Sequence, residues 1–294
     1  MLTRMRPILR PGTHVLRRGT GELQVGLDPR GALVLPDCDP VRASLQLLAR
    51  SGDLADHPDT ATYDALAAHE VVVDERSVLP LLAHDSLPAH ATAALARAAG
   101  AEAPELCRAR ERSRTAVRAF GHTCGGILRR DLLSLMAAAG LREHAGRSAP
   151  DAGVLVGVGE PDRELLDEWT RAGTPYLLVR LTEGRAVVGP FVVPGRTACL
   201  RCIDAHHTDA DPAWPLLVRQ YAEASSRDRP DGAPEPVDPL LAALAVSWAA
   251  RDLAAYVDGE RPSTWSTTVT LHPRPDQLES CLWPRHPACS CSWD

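Results

Sequence analysis

Four cysteines have the spacing of metal ligands. Cys199 and Cys202 form a C-x-x-C pair, and Cys289 and Cys291 form a C-x-C pair much later in the chain. Four thiolates complete the tetrahedral coordination that zinc prefers, and a site without an open position is structural rather than catalytic. The spacing therefore predicts one structural zinc site that fastens the second pair to an upstream loop.

Other readings of these pairs stay open. Cys281 lies close to the second pair, and His206, His207 or His286 could also replace a cysteine as a ligand. A C-x-x-C pair is also typical of thiol redox sites, which favour the N-terminus of a helix after a strand. The two adjacent histidines are expected in a loop before a helix at 212–222.

A glycine turn is the second group of residues with chemical meaning. Nucleotide-binding turns use three glycines so that the backbone can approach phosphates at a helix N-terminus. Gly121 and Gly126 occupy the first and third positions, but Thr123 occupies the middle one. Glu143 stands where an acidic ribose ligand is expected, yet residues 141–152 are too few for a strand and a helix. We predict a turn that keeps its shape and binds no nucleotide.

Composition and charge exclude several functions. All 32 basic residues among the 294 are arginines, so no lysine can form a Schiff base or a Walker-type phosphate loop. The net charge of −6 gives no basic face for nucleic acid. No apolar run reaches the roughly 18 residues of a membrane span, and the N-terminus has no signal core. We expect a cytoplasmic protein that binds neither nucleic acid nor membrane.

The first part of the chain, residues 1–86, is predicted to form a small unit. Three short strands at 13–18, 22–27 and 32–37 are separated by turn sequences. A helix follows, with Val41, Leu45 and Leu48 on one face, then a second helix at about 60–69 and a strand at 71–73. This order suits a winged-helix-like module, although the strands could instead extend the sheet of the main domain.

The second part, residues 87–294, is predicted to be an α/β domain. One or two surface helices at 87–112 precede alternating strands and helices from residue 115 onwards. This alternation favours a mainly parallel sheet with helices on both faces. The strand at 186–195 is expected to break at Gly189-Pro190, and an antiparallel strand is expected at 264–271.

Residues 115–294 resemble the ThiF/E1-like family of adenylating enzymes, which have a Rossmann-type domain. The resemblance rests on the glycine turn, on the phrase GPFVVPGRTACLRC (189–202), and on a zinc site closed by a later cysteine pair. The N-terminal unit looks like the winged-helix peptide-recognition element of ribosomal-peptide biosynthesis. Together they resemble the ThiF-like leader-peptide-binding proteins of thiazole/oxazole-modified peptide (TOMM) clusters, a class of RiPP and bacteriocin pathways.

The resemblance implies a partner protein for a YcaO-type cyclodehydratase, which forms azolines in the precursor peptide. The chain would bind the leader peptide and self-associate as a homodimer, with structural zinc and without ATP. In such modules the peptide lies between the third strand and a later helix. Six residues are therefore expected to contact it: Leu33, Val34, Leu35, Thr62, Tyr63 and Leu66.

Two enzymatic alternatives remain. The chain could be an active E1-like enzyme that adenylates a carboxylate with ATP, or a nicotinamide-dependent oxidoreductase with a structural zinc. Thr123 in the turn, the short second unit and the absence of lysine all count against adenylation. We therefore expect a pseudo-E1 subunit without catalytic residues.

Overall fold

The computed structural model describes residues 6–19, 21–28, 30–50, 59–83, 87–121, 124–144, 146, 148–227, 236–274 and 276–292. The chain divides into two compact units, Met1–Arg108 and Ala109–Asp294. The sequence places a boundary after residue 86, whereas the contacts of the chain divide after Arg108. The following helices stay with the first unit because their apolar side chains share its core.

The first unit contains two small sheets and five α-helices within its described residues. The three-stranded sheet has the order β2-β3-β4 and is antiparallel, and β1 pairs with β5. The predicted strands and the two predicted helices all form, whereas the winged-helix assignment stays a prediction. The elements are β1 (Pro7–Leu9), β2 (Val15–Arg17), β3 (Glu22–Val25), β4 (Leu33–Pro36), α1 (Asp39–Arg50), α2 (Thr60–Ala68), β5 (Val72–Asp74), α3 (Glu75–Leu82), α4 (Ala89–Ala99) and α5 (Ala103–Arg112), which crosses into the second unit.

Helix α1 covers one face of the three-stranded sheet. Its apolar residues recur every three or four positions, so Val41, Leu45 and Leu48 point to one side and are buried. They pack with Leu35 of β4 and Leu66 of α2. The face predicted for this helix is therefore confirmed.

The second unit is a six-stranded mixed sheet between helices, which confirms the α/β class. The strand order is β11-β10-β9-β8-β7-β6, with β6 and β11 at the two edges. The elements are β6 (Thr115–Phe120), α6 (Cys124–Ala138), β7 (Ala152–Val158), α7 (Glu164–Arg171), β8 (Tyr176–Thr182), β9 (Arg185–Val192), α8 (Leu200–Ala210), α9 (Trp214–Ser225), α10 (Pro239–Val257), β10 (Thr267–Leu271) and β11 (Leu278–Leu282).

The expectation of a mainly parallel sheet is wrong. Strands β6, β7 and β8 are parallel, but β8–β9, β9–β10 and β10–β11 are antiparallel pairs. Strand β9 returns directly after β8 because Glu183 and Gly184 both adopt positive φ, the geometry of a two-residue hairpin. Strand β9 also runs unbroken through the cis peptide bond at Gly189-Pro190.

Two helical layers cover the sheet. Helices α6 and α10 pack on one face, where Leu128, Leu132 and Met136 of α6 are buried. Helices α7 and α8 pack on the other face with Tyr176 and Phe120. By length and composition alone, α10 is apolar enough to cross a membrane, contrary to the sequence-based expectation. Half of it is buried against the sheet, as in a core helix.

Candidate functional site

The four predicted cysteines lie together on the α7–α8 face of the sheet. Cys199 precedes the first residue of α8 and Cys202 lies in its first turn. The C-terminal segment brings Cys289 and Cys291 against them. The Sγ atom of Cys199 lies 3.8 Å from that of Cys202, 3.7 Å from that of Cys289 and 3.4 Å from that of Cys291.

These distances suit tetrahedral metal coordination. A metal–sulfur bond of about 2.3 Å gives a tetrahedron whose sulfur atoms are about 3.8 Å apart. All four Sγ atoms lie within 4.8 Å of one another, and three of the cysteines are buried. The donor set therefore has the type, number and spacing that a structural metal ion requires.

The pKa values of the clustered thiols shift in different directions. Hydrogen bonds to Cys202 and Cys291, together with burial, raise the pKa of Cys199. The hydrogen bonds that Cys202 accepts from Cys199 and Cys291 lower the pKa of Cys202. Burial raises the pKa of Cys289 to about 12. Each further thiolate would place a second negative charge beside the first in a buried site, and a bound cation would offset that repulsion.

The alternative ligands lie elsewhere. Cys281 is exposed on β11, and its Sγ donates a weak hydrogen bond to the carbonyl oxygen of its neighbour Leu282. His207 packs against the rings of Trp214 and Trp283. His206 and His286 belong to a second group with Asp209, in which Nε2 of His286 lies 2.9 Å from the carboxylate.

The segment that carries the two adjacent histidines is a helix, not the predicted loop. It forms α8, which begins directly after Cys199. The apolar positions Leu200 and Ile203 are buried against the sheet and fix this helix. The C-x-x-C pair thus occupies a helix N-terminus, where partial positive charge favours thiolates.

The glycine turn follows β6, at the carboxyl edge of the parallel strands. Gly121 has a φ of 75°, and a Cβ there would lie 2.4 Å from the carbonyl oxygen of Val158. A Cβ at Gly125 would lie 2.3 Å from the carbonyl oxygen of Phe120, whereas Gly126 has open space. Thr123 lies outside the described residues. The close approach of β6, β7 and α6 is enough to require glycine at positions 121 and 125.

Glu143 does not lie near this turn. It forms a bridge beside Thr115, the first residue of β6, and therefore lies at the opposite, amino end of the strand. Its carboxylate pairs with Arg129, whose Nε also donates to the carbonyl oxygen of Val117. Along the described chain, no strand pairs with β6 on the side away from β7. The strand end at which an acidic ribose ligand is expected is therefore missing among these residues.

A cleft of 640 Å³ opens at the carboxyl edge, beside Gly121. Its lining contains five carboxylates and three arginines: Glu160, Asp162, Glu164, Asp204 and Glu223, with Arg163, Arg201 and Arg219. A Cβ at Gly159 would lie 2.2 Å from Oγ of Ser225, so the end of α9 packs directly on the loop after β7. An excess of carboxylates disfavours a polyphosphate.

An ion-pair network forms one wall of this cleft. Arg163 donates to Asp204 at 2.7 and 2.9 Å and to Glu160 at 2.9 Å, and Arg180 donates to Glu160 at 2.5 Å. Burial opposes ionisation of Asp204, but Arg163 and the Trp214 indole N–H outweigh it and lower its pKa. The sequence did not predict this network, because its members come from separate elements.

The six residues predicted to contact a peptide lie in the first unit. Leu35 and Leu66 are buried in its core, whereas Val34 is 37% exposed on β4. Leu35 and Thr62 border a groove of 510 Å³ between the end of β4, the start of α1 and the start of α2. Leu33 and Tyr63 are partly buried beside them.

Helix α2 begins at a well-formed cap beside this groove. The Asp59 carboxylate accepts hydrogen bonds from Ala61 N at 3.1 Å and from Thr62 Oγ1 at 2.5 Å. Those bonds lower the pKa of Asp59. Strand β4 is also an edge strand of its sheet, so a further strand could pair with it.

Comparisons with known proteins identify the fold. No protein-family model matches the chain, and no curated protein matches it either. A heterocyclase solved in complex with substrate and cofactor matches 97% of this chain with a TM-score of 0.69 and 17% identity. The heterocyclase TruD matches 98% with a TM-score of 0.69 and 15% identity.

The chain spans only about two fifths of the length of these heterocyclases, 39% and 43%. A third structure, E. coli MccB with succinimide, matches 98% of this chain and 99% of its own length, with a TM-score of 0.62 and 13% identity. MccB has also been solved with ATP. At these identities the similarity establishes the fold and no activity.

Proposed function

We propose that this chain binds the leader of a ribosomally synthesised precursor peptide and presents it to a separate YcaO-type cyclodehydratase. One observation carries the proposal. Nearly the whole chain matches about two fifths of two heterocyclases, one of which was solved with its substrate and cofactor. The rest of those heterocyclases lies outside the match, and the proposal assigns the cyclodehydratase reaction to a separate partner protein.

The first unit offers a place for an extended peptide. Strand β4 is an edge strand whose unpaired backbone groups can accept an added strand. The groove between Leu35 of β4 and Thr62 of α2 lies beside that edge and can take side chains of the peptide. Backbone pairing would give affinity, and the groove would set the register.

Isothermal titration of the full chain with a synthetic leader tests this proposal. The probes are the leader segments of any short Cys/Ser/Thr-rich precursor sequences found beside this gene. Ala61, an exposed residue that lines the groove, is replaced in the variant Ala61→Glu. We expect micromolar or tighter binding by the wild type and at least tenfold weaker binding by the variant, because the new side chain fills the groove.

The matched control is Ala68→Glu, at the exposed end of the same helix and outside the groove lining. It adds the same charge, so it should bind like the wild type. Absence of heat with every cognate leader, or full affinity of Ala61→Glu, would contradict this mode of binding.

We further propose that Cys199, Cys202, Cys289 and Cys291 hold a structural zinc ion. Zinc bound by four thiolates supplies cross-linking of the fold and no chemistry on a substrate. Helix α8 presents one pair of cysteine ligands, and the C-terminal segment presents the other. The site would keep the second unit folded while the partner performs the reaction.

The second unit is proposed to be a pseudo-E1 domain that docks the partner and forms a homodimer without binding ATP. The acidic lining of the cleft, the packing of Ser225 on Gly159, and the position of Glu143 at the wrong end of β6 support the loss of nucleotide binding.

Adenylation remains the second candidate. MccB, which has been solved with ATP, matches this chain over nearly its whole length, and that full-length match favours an active enzyme. The use of ATP by the chain alone distinguishes the two candidates.

A further inference from the structure

A second cavity, of 800 Å³, lies at the amino end of the central strands, the opposite edge from the glycine turn. It borders Ala152, the first residue of β7, and the segment after α10. We call it the Trp265 pocket, after the aromatic ring in its wall. Its size falls in the range of small-molecule sites.

A buried carboxylate holds the segment that carries this ring. Asp252 of α10 is only 2% exposed and accepts four hydrogen bonds. The donors are the backbone N–H and the hydroxyl of both Ser263 and Thr264, at 2.5 to 3.0 Å. Phe191 N also donates to the carbonyl oxygen of Thr264 at 2.8 Å.

The ring itself is fixed by stacking. The indole of Trp265 lies nearly parallel to the ring of Phe191, at an interplanar angle of 5° and a centroid distance of 6.5 Å. Phe191 is fully buried in the core of the second unit. The pocket therefore has a rigid aromatic wall, which a ligand can use without ordering it first.

Two guanidinium groups flank this wall. Arg196 and Arg261 each lie 5.7 Å from the centroid of the Trp265 ring. Arg112 supplies a third positive charge to the lining. In the described part of the chain, none of the three forms an ion pair with a carboxylate. Asp151 is already held by Arg114 at 2.6 Å, which leaves Glu260 as the one unpaired acid of the lining.

We propose that the Trp265 pocket binds an organic oxyanion, a phosphate or carboxylate group attached to an apolar or planar body. The anionic group pairs with Arg196 and Arg261, since guanidinium groups bind such oxygens bidentately. The body packs on the exposed part of the Trp265 wall. This site does not depend on the proposed leader binding, because it lies in the other unit.

Ligand-observed NMR titration of the full chain tests the site with two probes, phenyl phosphate and phenylacetate. We expect at least one to bind with a dissociation constant of about 1 mM or lower, as befits a ligand of about ten atoms. Comparison of the probes distinguishes a phosphate from a carboxylate. The double variant Arg196→Gln/Arg261→Gln should weaken the binding at least about tenfold.

The matched control is Arg130→Gln/Arg185→Gln, which removes the same charge from two exposed arginines outside the pocket. It should bind the probe like the wild type. All four arginines are exposed, and unchanged thermal midpoints would verify folding. The proposal is overturned if neither probe binds at about 10 mM, if the first double variant keeps full affinity, or if the control loses as much.

Discussion

As metal ligands the four clustered thiols would each carry a negative charge, and such charges repel one another strongly in a buried site. Their Sγ atoms lie within 4.8 Å of one another, so full ionisation requires a cation. The helix N-terminus at Cys199 helps but supplies only about half an elementary charge. Zinc removes this conflict, and its binding free energy then becomes part of the folding free energy.

Replacement of one ligand should therefore cost stability. We expect Cys289→Ser to lower the free energy of unfolding by roughly 3 to 5 kcal/mol and to abolish binding of one zinc ion per chain. Urea denaturation and elemental analysis measure the two effects. Cys281→Ser is the control, since Cys281 is exposed on β11. Equal zinc content and stability in both variants would refute the site.

Sequence spacing was sufficient to find these cysteines because thiol pairs at C-x-x-C and C-x-C spacing have few other uses in a long chain. It could not find the Trp265 pocket, whose arginines come from a turn, a helix and a loop. Arg196 and Arg261 are 65 positions apart and carry no local signal. Only the fold brings them to one ring.

Elements with strong local patterns formed where the sequence placed them. Strands β2, β3 and β4 are bounded by turn residues, and α1 repeats apolar residues at helical spacing, so local physics decided both. Helix α8 was missed because its histidines and aspartates obscure a short apolar face. The direction of β9 was missed because a parallel or antiparallel return depends on the connection, not on the strand.

The link between α7 and α8 gives a prediction about pH. Asp204 on α8 pairs with Arg163 beside α7, and this pair lowers the pKa of Asp204 despite its burial. Because the folded-state pKa lies below the unfolded value of about 3.9, the pair stabilises fully above that pH. The stabilisation is lost as the pH falls through the folded-state pKa.

Asp204→Asn should thus lower the free energy of unfolding by about 2 to 4 kcal/mol at pH 7, and the difference should shrink only as the pH falls below the unfolded pKa of about 3.9. Urea denaturation across this range measures it. The control Asp276→Asn removes an exposed partner of Arg274 and should change stability by less than about 1 kcal/mol. Metal loss in acid affects all three proteins, so a constant difference between wild type and Asp204→Asn would contradict the assignment.

At the scale of the whole molecule, the described strands of the second unit's sheet all lie on one side of β6. A nucleotide-binding sheet would continue with further strands on the other side of β6. Strand β6 is an edge, and α6 leads through the bridge at Glu143 straight into β7. Chain length alone indicated this loss, since residues 141–152 cannot hold a strand and a helix. The fold match to about two fifths of two heterocyclases concerns the fold alone, and the division of labour with a partner stays a proposal.

An assay for adenylation by the chain alone is therefore the decisive test at this scale. We expect no ATP–pyrophosphate exchange above background, with or without precursor peptide, and no thermal stabilisation by ATP and magnesium. The physical reason is the cleft beside Gly121, which has more carboxylates than arginines, and whose arginines Arg163 and Arg201 are already paired with acids. A triphosphate would have to break those pairs and would face repulsion from the rest.

The exchange assay needs an enzyme of established adenylating activity as its positive reference. Exchange by this chain at a comparable rate would establish the adenylating alternative and end the pseudo-E1 proposal. Its absence, combined with leader binding in the titration, would leave the chain as the recognition half of a two-protein cyclodehydratase. The ion pairs Arg163–Asp204 and Arg201–Asp167 at the cleft would then serve to hold α7 against α8.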